Sequence, residues 1–277
     1  MRIEYVNSNG EKISLMQHEV RVYKANFHSY SWEPVGYERR YGVRLDDLTK
    51  KPLELELQIA FKGENKKEEL NRFYSVTEYD VVHCKTGKLY WGDYYLNCLV
   101  IDSSTEPADE FSGAVRSVKV FAPYPFWIKE VRNRFFVKSE VAATTSSGYD
   151  HEYDYPYDYA NVETQQAEIV NEEHTKADFT IIITGPATYP SIKIGTNVYE
   201  VNIDVHVGEY LTIDSATKTA EITGINGQKV NVFPFRNLDH YLFEQIEPGL
   251  NEIFWNGNYE WSLTLYQTRS EPKWNWE

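Results

Sequence analysis

Strict alternation of apolar and polar residues runs through several short segments of the chain. The clearest is LELELQIAF at residues 53–61, where every second residue is apolar and Glu or Gln lies between most of them. Side chains of a strand point alternately to the two faces of a sheet, so this pattern predicts a strand with one buried face. A further strand is predicted at 115–122, with Val118 and Val120 on one face. Another is predicted at 198–207, with Val201, Ile203, Val205 and Val207 on one face, and a third at 260–267, with Trp261, Leu263 and Leu265 on one face.

One block has a helical period instead. KGENKKEELNRFYSVTEY, residues 62–79, is rich in Glu and Lys and places Leu70, Phe73 and Val76 or Thr77 near the three-and-four spacing of one helix face. The sequence predicts one helix here, and helical signal is almost absent after Tyr79.

Turn residues indicate how the strands connect. Asn-Gly between apolar runs is a strong hairpin signal, and it occurs at Asn9-Gly10, Asn226-Gly227 and Asn256-Gly257. Gly92-Asp93 adds a fourth predicted hairpin turn. Both halves of the chain are therefore expected to be antiparallel.

A break in the pattern divides the chain into two predicted domains. Pro123 and Pro125 in APYPFWIKE cannot continue a ladder of backbone hydrogen bonds, and a Thr/Ser/Gly run follows at 144–148. We place the boundary near residue 130, giving domains 1–130 and 131–277. The fold class is mainly β, with one helix in the first domain and an antiparallel β-sandwich of short strands in the second.

The composition narrows the possible functions. The 277 residues are 42% hydrophobic, so a core can form. The 42 acidic residues outnumber the 28 basic ones, and the resulting net charge of -14 repels nucleic acid and anionic membranes. The first residues lack the apolar stretch of a signal peptide, and no apolar run approaches the length of a membrane span, so the sequence predicts a soluble protein made in the cytosol. The 22 tyrosines and 7 tryptophans indicate a protein rich in contact surfaces.

The two cysteines do not indicate a disulfide scaffold, a zinc site or a catalytic pair. Cys84 and Cys98 are too few for a disulfide scaffold and wrongly spaced for zinc, so we expect reduced structural thiols, although they flank a predicted hairpin and a strained pairing stays open. His83 adjoins Cys84, but neighbouring residues on a strand point to opposite faces, which argues against a Cys-His pair.

The stretch YDHEYDYPYDYA, residues 149–160, alternates aromatic and acidic residues. One interpretation is a sugar-binding or partner-binding surface, because aromatic rings stack on sugars and carboxylates accept hydroxyl hydrogen bonds. The other is a half-buried strand at a sheet edge whose acids face water, with Pro156 keeping it at the edge. The candidate surface consists of Tyr149, Tyr153, Tyr155, Tyr157 and Tyr159.

Metal and catalytic sites are not predicted. The acidic patches, one with Asp150, His151, Glu152 and Asp154 and the other with Glu172, Glu173 and His174, match no EF-hand or His-Glu-x-x-His spacing. No nucleophile elbow, phosphate loop or dinucleotide fingerprint is present, and a glycosidase pair would rest only on the abundance of carboxylates. We expect no enzyme activity and no cofactor.

An ordered series of segments carries a family resemblance. It begins with KTGKLYWGDYYLNCLVIDSS and VRSVKVFAPYPFWIKE, continues through the tyrosine stretch to FTIIITGPATYPSIKIGTNVYEV, GEYLTIDSATKTA and NVFPFRN, and closes with Arg269, Glu271, Pro272 and Trp274. In this order the segments resemble the distal tail proteins of long-tailed bacteriophages and prophages of Gram-positive hosts, over nearly the whole chain.

The resemblance implies a fold and a role. The first domain is expected to be similar to tail-tube modules, a β-sandwich or split barrel with one helix, and to close into a sixfold ring. The second is expected to be a galectin-like antiparallel β-sandwich projecting outward. Such a structural virion protein, assembled in the host cytoplasm, forms a hub at the tail tip that joins the tail tube to the tail-associated lysin, tip and receptor-binding proteins. The alternative function is a carbohydrate-binding β-sandwich module.

The charges suit such a ring. A closed ring needs a heterologous interface, and opposite charges across it favour one register. The candidate basic residues are Arg39, Arg40, Arg44, Lys66 and Lys67, which would meet acidic neighbours, although exposed bases are often simply solvated. An acidic channel would let DNA pass without binding it.

Overall fold

The computed structural model describes residues 2–106, 114–137 and 165–274. The chain divides into two compact units. Unit 1 consists of Met1–Lys129 together with Thr268–Glu277, and unit 2 consists of Glu130–Gln267. The chain thus leaves unit 1 once and returns to it at the end.

Unit 1 is built from antiparallel strands and an α-helix. One strand group has the order β10-β8-β7-β1-β2, a second joins β3, β6, β9 and β8, and β4 pairs with β5. The elements are β1 (Ile3–Val6), β2 (Lys12–Ser14), β3 (Val20–Ala25), β4 (Glu33–Glu38), β5 (Val43–Thr49), β6 (Leu53–Phe61), α1 (Lys66–His83), β7 (Gly87–Trp91), β8 (Tyr94–Glu106), β9 (Ala114–Ala122) and the first three residues of β10 (Trp127–Phe135), whose other residues belong to unit 2.

The long strand β8 belongs to both strand groups of unit 1. Its first residues, Tyr94–Cys98, pair with β7, and its residues from Leu99 onward pair with β9, with a bulge between Val100 and Asp102. A bulge bends a strand and increases its twist, which lets one strand serve two sheets. The apolar side chains between them form a core that includes the inward face of β6 predicted from LELELQIAF.

Helix α1 covers this core with one face, on which Phe73, Val76, Thr77 and Asp80 are buried. Glu68 and Glu69 lie in its first turn, where acidic side chains interact favourably with the helix dipole. The helix ends at Cys84, whose backbone is left-handed with φ 51°. The predicted helix is confirmed and extends four residues beyond Tyr79.

A buried carboxylate fixes the helix to the sheet. Asp80 is fully buried, accepts a hydrogen bond of 2.6 Å from the Tyr5 hydroxyl, and accepts one of 2.7 Å from the Ser8 amide. Burial raises the pKa of Tyr5 far above its ordinary value, so its phenol keeps the proton that it donates. These bonds give both carboxyl oxygens a partner, as a polar group placed inside a core requires.

Unit 2 consists of two antiparallel sheets around one core. One sheet has the order β17-β16-β15-β12-β19, and the other has the order β11-β18-β13-β14. The elements are β11 (Gln165–Asn171), β12 (Asp178–Thr184), β13 (Ser191–Ile194), β14 (Asn197–Glu200), β15 (Tyr210–Asp214), β16 (Thr219–Thr223), β17 (Lys229–Asn231), β18 (Gly249–Trp255) and β19 (Glu260–Arg269), with a 3-10 turn at Phe233–Phe235. Buried side chains from both sheets meet in a single apolar cluster. The predicted mainly β fold is confirmed.

Three of the four predicted hairpins are present, namely β1–β2, β7–β8 and β16–β17. The prediction at Asn256-Gly257 is wrong. The flanking strands do not pair, because β18 lies between β11 and β13 while β19 pairs with β12. The turn therefore carries the chain from one sheet of unit 2 to the other. Local turn chemistry gives the reversal of direction but not the sheet that receives the next strand.

The continuous strand predicted at 198–207 is also wrong. The regular strand β14 ends at Glu200, and beyond it Val201 and Val205 make only isolated bridges, to Arg236 and Ala187. Val201 and Val205 are buried, whereas Val207 is 73% exposed. No helix in the described part of the chain is long and apolar enough to cross a membrane.

Candidate assembly surface

The hairpin formed by β4 and β5 stands apart from the sheets of unit 1. Within the described ranges, these strands pair only with each other, and every residue of both strands is exposed. We call this hairpin, residues 33–49, the arm. A bulge at Asp46 shifts its register, so that Val35 lies opposite Asp47 and Gly36 lies opposite Leu45. Gly36 leaves no room for a Cβ, because the backbone carbonyl of Arg44 lies against it.

The register separates the arm into two faces. Side chains directly opposite each other in an antiparallel pair share a face. The pairs Glu38–Val43, Gly36–Leu45 and Pro34–Leu48 therefore form one face. Its aliphatic side chains Val43, Leu45 and Leu48 are 61, 54 and 47% exposed. We call this the apolar face of the arm. The opposite face carries Glu33, Val35, Tyr37, Arg44, Asp47 and Thr49.

Three of the five predicted basic residues lie on the arm. Arg39 and Arg40 belong to the loop at its tip, which is closed by a 2.9 Å hydrogen bond from the Arg39 amide to the Gly42 carbonyl. Arg40 lies over the ring of Tyr41 at 5.5 Å, and Arg44 Nε is 3.7 Å from an Asp46 carboxylate oxygen. The tip is thus basic in an acidic chain.

Lys66 and Lys67 lie elsewhere, at the first two positions of α1. The predicted set of five bases therefore occupies two separate elements. Any joint action of the arm and the helix start stays a prediction.

The base of the arm holds a desolvated lysine that the sequence did not reveal. Lys50 Nζ lies 4.2 Å from the ring centroid of Phe126 and 5.4 Å from that of Trp32, and it has no hydrogen-bond partner among the described residues. Burial lowers its pKa to about 8. The adjacent Lys51 makes an ordinary 2.6 Å ion pair with Glu33. The sequence gives no reason to expect different environments for these two adjacent lysines, so the difference between them depends on the fold.

An aromatic stack fixes the returning end of the chain in unit 1. Trp274 stacks on His28 with ring centroids 3.5 Å apart, and His28 meets Trp91 edge-on at 5.3 Å. Burial lowers the pKa of His28, against the opposing effects of Glu271 and the Pro272 backbone. The closing Glu-Pro-x-Trp residues therefore pack on unit 1 next to its core.

Several predicted residues lie outside the described ranges. These are the candidate surface of Tyr149, Tyr153, Tyr155, Tyr157 and Tyr159, and the acidic patch of Asp150, His151, Glu152 and Asp154.

The other acidic patch forms the turn between β11 and β12. There the Asn171 side chain accepts a hydrogen bond from the Glu173 amide and donates one to the Thr175 carbonyl. Among the described residues, no three His, Cys, Asp or Glu side chains are grouped to hold a metal ion.

Both cysteines are free, as predicted, with Cys84 exposed and Cys98 buried. Our reason for rejecting a His83–Cys84 pair was wrong, because these residues do not lie on a strand. His83 is the last helical residue and its ring nitrogen is 2.7 Å from the Tyr79 carbonyl, while Cys84 forms the left-handed end of the helix.

Comparison with known proteins identifies the fold. No family model and no curated protein matches the sequence. The solved Dit protein of phage SPP1, described as a paradigm of the hub adsorption apparatus in phages that infect Gram-positive bacteria, has a TM-score of 0.61 at 11% identity. The match covers 97% of this chain and 98% of that one.

This chain has the fold of the phage distal tail proteins. Chains from the activated phage P2 baseplate agree, with TM-scores of 0.65 and 0.63 at 14 and 13% identity in the calcium and strontium structures. Each of these matches covers 98% of this chain and 100% of the baseplate chain. The distal tail protein fold therefore extends over both units.

Proposed function

We propose that this chain is a non-enzymatic structural protein at the distal end of a phage tail, where six copies form a ring through unit 1. The ring joins the tail tube to the tail-associated lysin, tip and receptor-binding proteins. The support from comparison is that the fold is shared from end to end with a Dit protein and with baseplate chains. Assembly would take place in the host cytoplasm, and the mature protein would be part of the virion.

The exposed apolar face of the arm is the observation that carries the ring. Three aliphatic side chains on one face of a short hairpin, all about half exposed, are costly in water, and a two-stranded hairpin without packing is marginally stable. Docking of the arm on a neighbouring copy would bury the apolar face and stabilise the hairpin. The occupant we assign is a second copy of this chain, because the arm's basic tip complements a chain with net charge -14.

A ring of this kind needs two different surfaces on each copy. The arm supplies one surface, and the unit 1 sheets of the neighbour supply the other, so the contact is heterologous and closes by rotation. The overall negative charge also suits a channel for DNA, since like charge on the wall prevents adhesion of the phosphate backbone.

The first experiment measures assembly mass. Purified chain should show a species of six times its 32.4 kDa mass by light scattering and native mass spectrometry. The double change Leu45→Glu and Leu48→Glu should abolish that species while leaving the circular dichroism spectrum unchanged. As a matched control, Val207→Glu and Leu250→Glu change aliphatic residues of unit 2 that are 73 and 61% exposed, and these should leave the mass unaltered.

The basic tip gives a weaker version of the same test. Arg39→Glu with Arg40→Glu should weaken assembly, and the loss should be greatest at low ionic strength, where charge contacts count most. The experiment that decides against the proposal uses purified tails. Antibody label on this polypeptide that spreads along the shaft, or is absent from the far end, contradicts a distal hub whatever the behaviour of the isolated chain.

A further inference from the structure

Unit 2 contains an open groove that the proposed ring does not use. The groove has a volume of about 470 Å³, within the range of small-molecule sites. Its polar lining consists of Tyr189, Asn202, Asp204, His206 and Glu209. The aliphatic part of the lining includes the buried side chains of Ile222 and Val232. We call it the Tyr189 groove.

The loop that supplies the polar groups is held from both sides. Val205 exchanges two backbone hydrogen bonds with Ala187, of 2.8 and 2.9 Å, and the Asn202 amide donates to the Phe235 carbonyl at 2.8 Å. At the far end of the loop, one Glu209 carboxylate oxygen accepts a hydrogen bond of 3.0 Å from the His206 amide. A loop fixed in this way keeps its side chains in place before a ligand arrives.

Tyr189 is presented to the groove by an unusual backbone. Its φ of 43° lies in the left-handed region, which bulky residues rarely adopt, and its side chain is 58% exposed. The chain on its C-terminal side is anchored at Ser191, whose amide and carbonyl both bind the Tyr259 hydroxyl, at 3.1 and 2.7 Å. Such strain persists only where the surroundings impose it, and it is common at binding sites.

The chemistry of the lining selects a ligand class. An exposed phenol ring offers a flat apolar surface, while the amide, imidazole and carboxylates beside it offer donors and acceptors at several angles. Among the described residues, two carboxylates and no Lys or Arg line the groove, so phosphate or sulfate ligands are disfavoured. A neutral molecule with one apolar face and many hydroxyl groups fits both conditions.

We propose that the Tyr189 groove binds a neutral pyranose saccharide, with the sugar face on Tyr189 and its hydroxyl groups on Asn202, Asp204 and Glu209. This site is separate from the tyrosine stretch at 149–160. It is also independent of ring formation, because the groove lies wholly within unit 2 of a single chain.

Saturation-transfer NMR on the full chain tests the proposal. The probes are cellobiose, chitobiose, lactose and maltose, with poly(glycerol phosphate) as the anionic comparison. At least one disaccharide should receive saturation and the anionic polymer should not. Tyr189→Ala should weaken that binding about tenfold, the effect of losing one ring contact. Tyr74→Ala on α1, which removes a ring that is 56% exposed in unit 1, should change nothing.

Two further variants keep the test decisive. Tyr189→Gly removes the ring while tolerating positive φ, so it serves if the alanine variant fails to fold. Asp204→Asn should keep partial binding, because an amide can still accept a hydroxyl hydrogen bond. The proposal is overturned if none of the four disaccharides binds, if the anionic polymer binds in their place, or if binding survives loss of the Tyr189 ring.

Discussion

Strands β5 and β19 contain similar alternating patterns but have opposite environments. In β19 the inward side chains Trp261, Leu263 and Leu265 are at most 2% exposed, because the second sheet of unit 2 packs on them. In β5, Val43 and Leu45 are 61 and 54% exposed. The pattern therefore predicts a two-faced strand in both places, but it does not say what covers the apolar face. For β19 the cover belongs to the same chain, and for β5 we propose that it belongs to a neighbour.

The largest expected effect comes from a matched pair of leucines. Leu263→Ala should lower the free energy of unfolding by about 3 kcal/mol, because it opens a cavity in a fully buried core. Leu45→Ala should cost the isolated chain less than about 0.5 kcal/mol, as expected for an exposed site. Urea unfolding monitored by tryptophan fluorescence measures both. Equal losses would show that the arm is packed within its own chain and would remove the comparison.

An intermediate effect is expected at the buried carboxylate of unit 1. Asp80→Ala leaves the Tyr5 hydroxyl and the Ser8 amide without their acceptor and should cost about 2 kcal/mol. Asp102→Ala, an exposed acid on β8, is the control and should be nearly neutral. The loss should appear in the unfolding of unit 1, followed by amide hydrogen exchange in α1. An unchanged exchange rate in α1 would contradict the role given to Asp80.

The smallest expected effect is on how the stability of the protein changes as the pH falls. The folded-state pKa of His28 is lowered, so the folded protein binds fewer protons than the unfolded chain below the ordinary value of 6.5. The contribution of His28 is complete above that value and is lost as the pH falls toward the folded pKa. His28→Phe should therefore lose less stability than the parent between pH 7 and pH 5. Thermal melts at both values measure this, and an identical loss in both proteins would place the acid sensitivity elsewhere.

Much of the fold was predictable because local signals and final structure agree. The alternation at 53–61, the helical spacing around Phe73 and three turn dipeptides each specify a local geometry that tertiary packing then keeps. The turn at Asn256-Gly257 fixed only a reversal, since the choice between two sheets depends on strands distant in sequence. The valines at 201–207 alternate as in a strand, but cross-loop bridges to Ala187 and Arg236 divide the segment.

The candidate surfaces were less predictable than the fold. Arg39, Arg40 and Arg44 were visible as a basic cluster, but their shared hairpin and its apolar face depend on a bulge at Asp46 that the sequence does not signal. Lys50 is desolvated only because Trp32 and Phe126, far apart in sequence, meet around it. Three polar groups of the Tyr189 groove, on Asn202, Asp204 and His206, likewise come from a segment that had been predicted as a regular strand.

The return of Thr268–Glu277 to unit 1 has a consequence for synthesis on the ribosome. Trp274 stacks on His28, which lies between β3 and β4, so this contact cannot form until the whole of unit 2 has been translated. Domains generally fold as units while the chain emerges, with N-terminal segments first. Unit 1 is therefore the first to begin folding and the last to be completed, and until Trp274 has been translated the ring of His28 lacks its stacking partner.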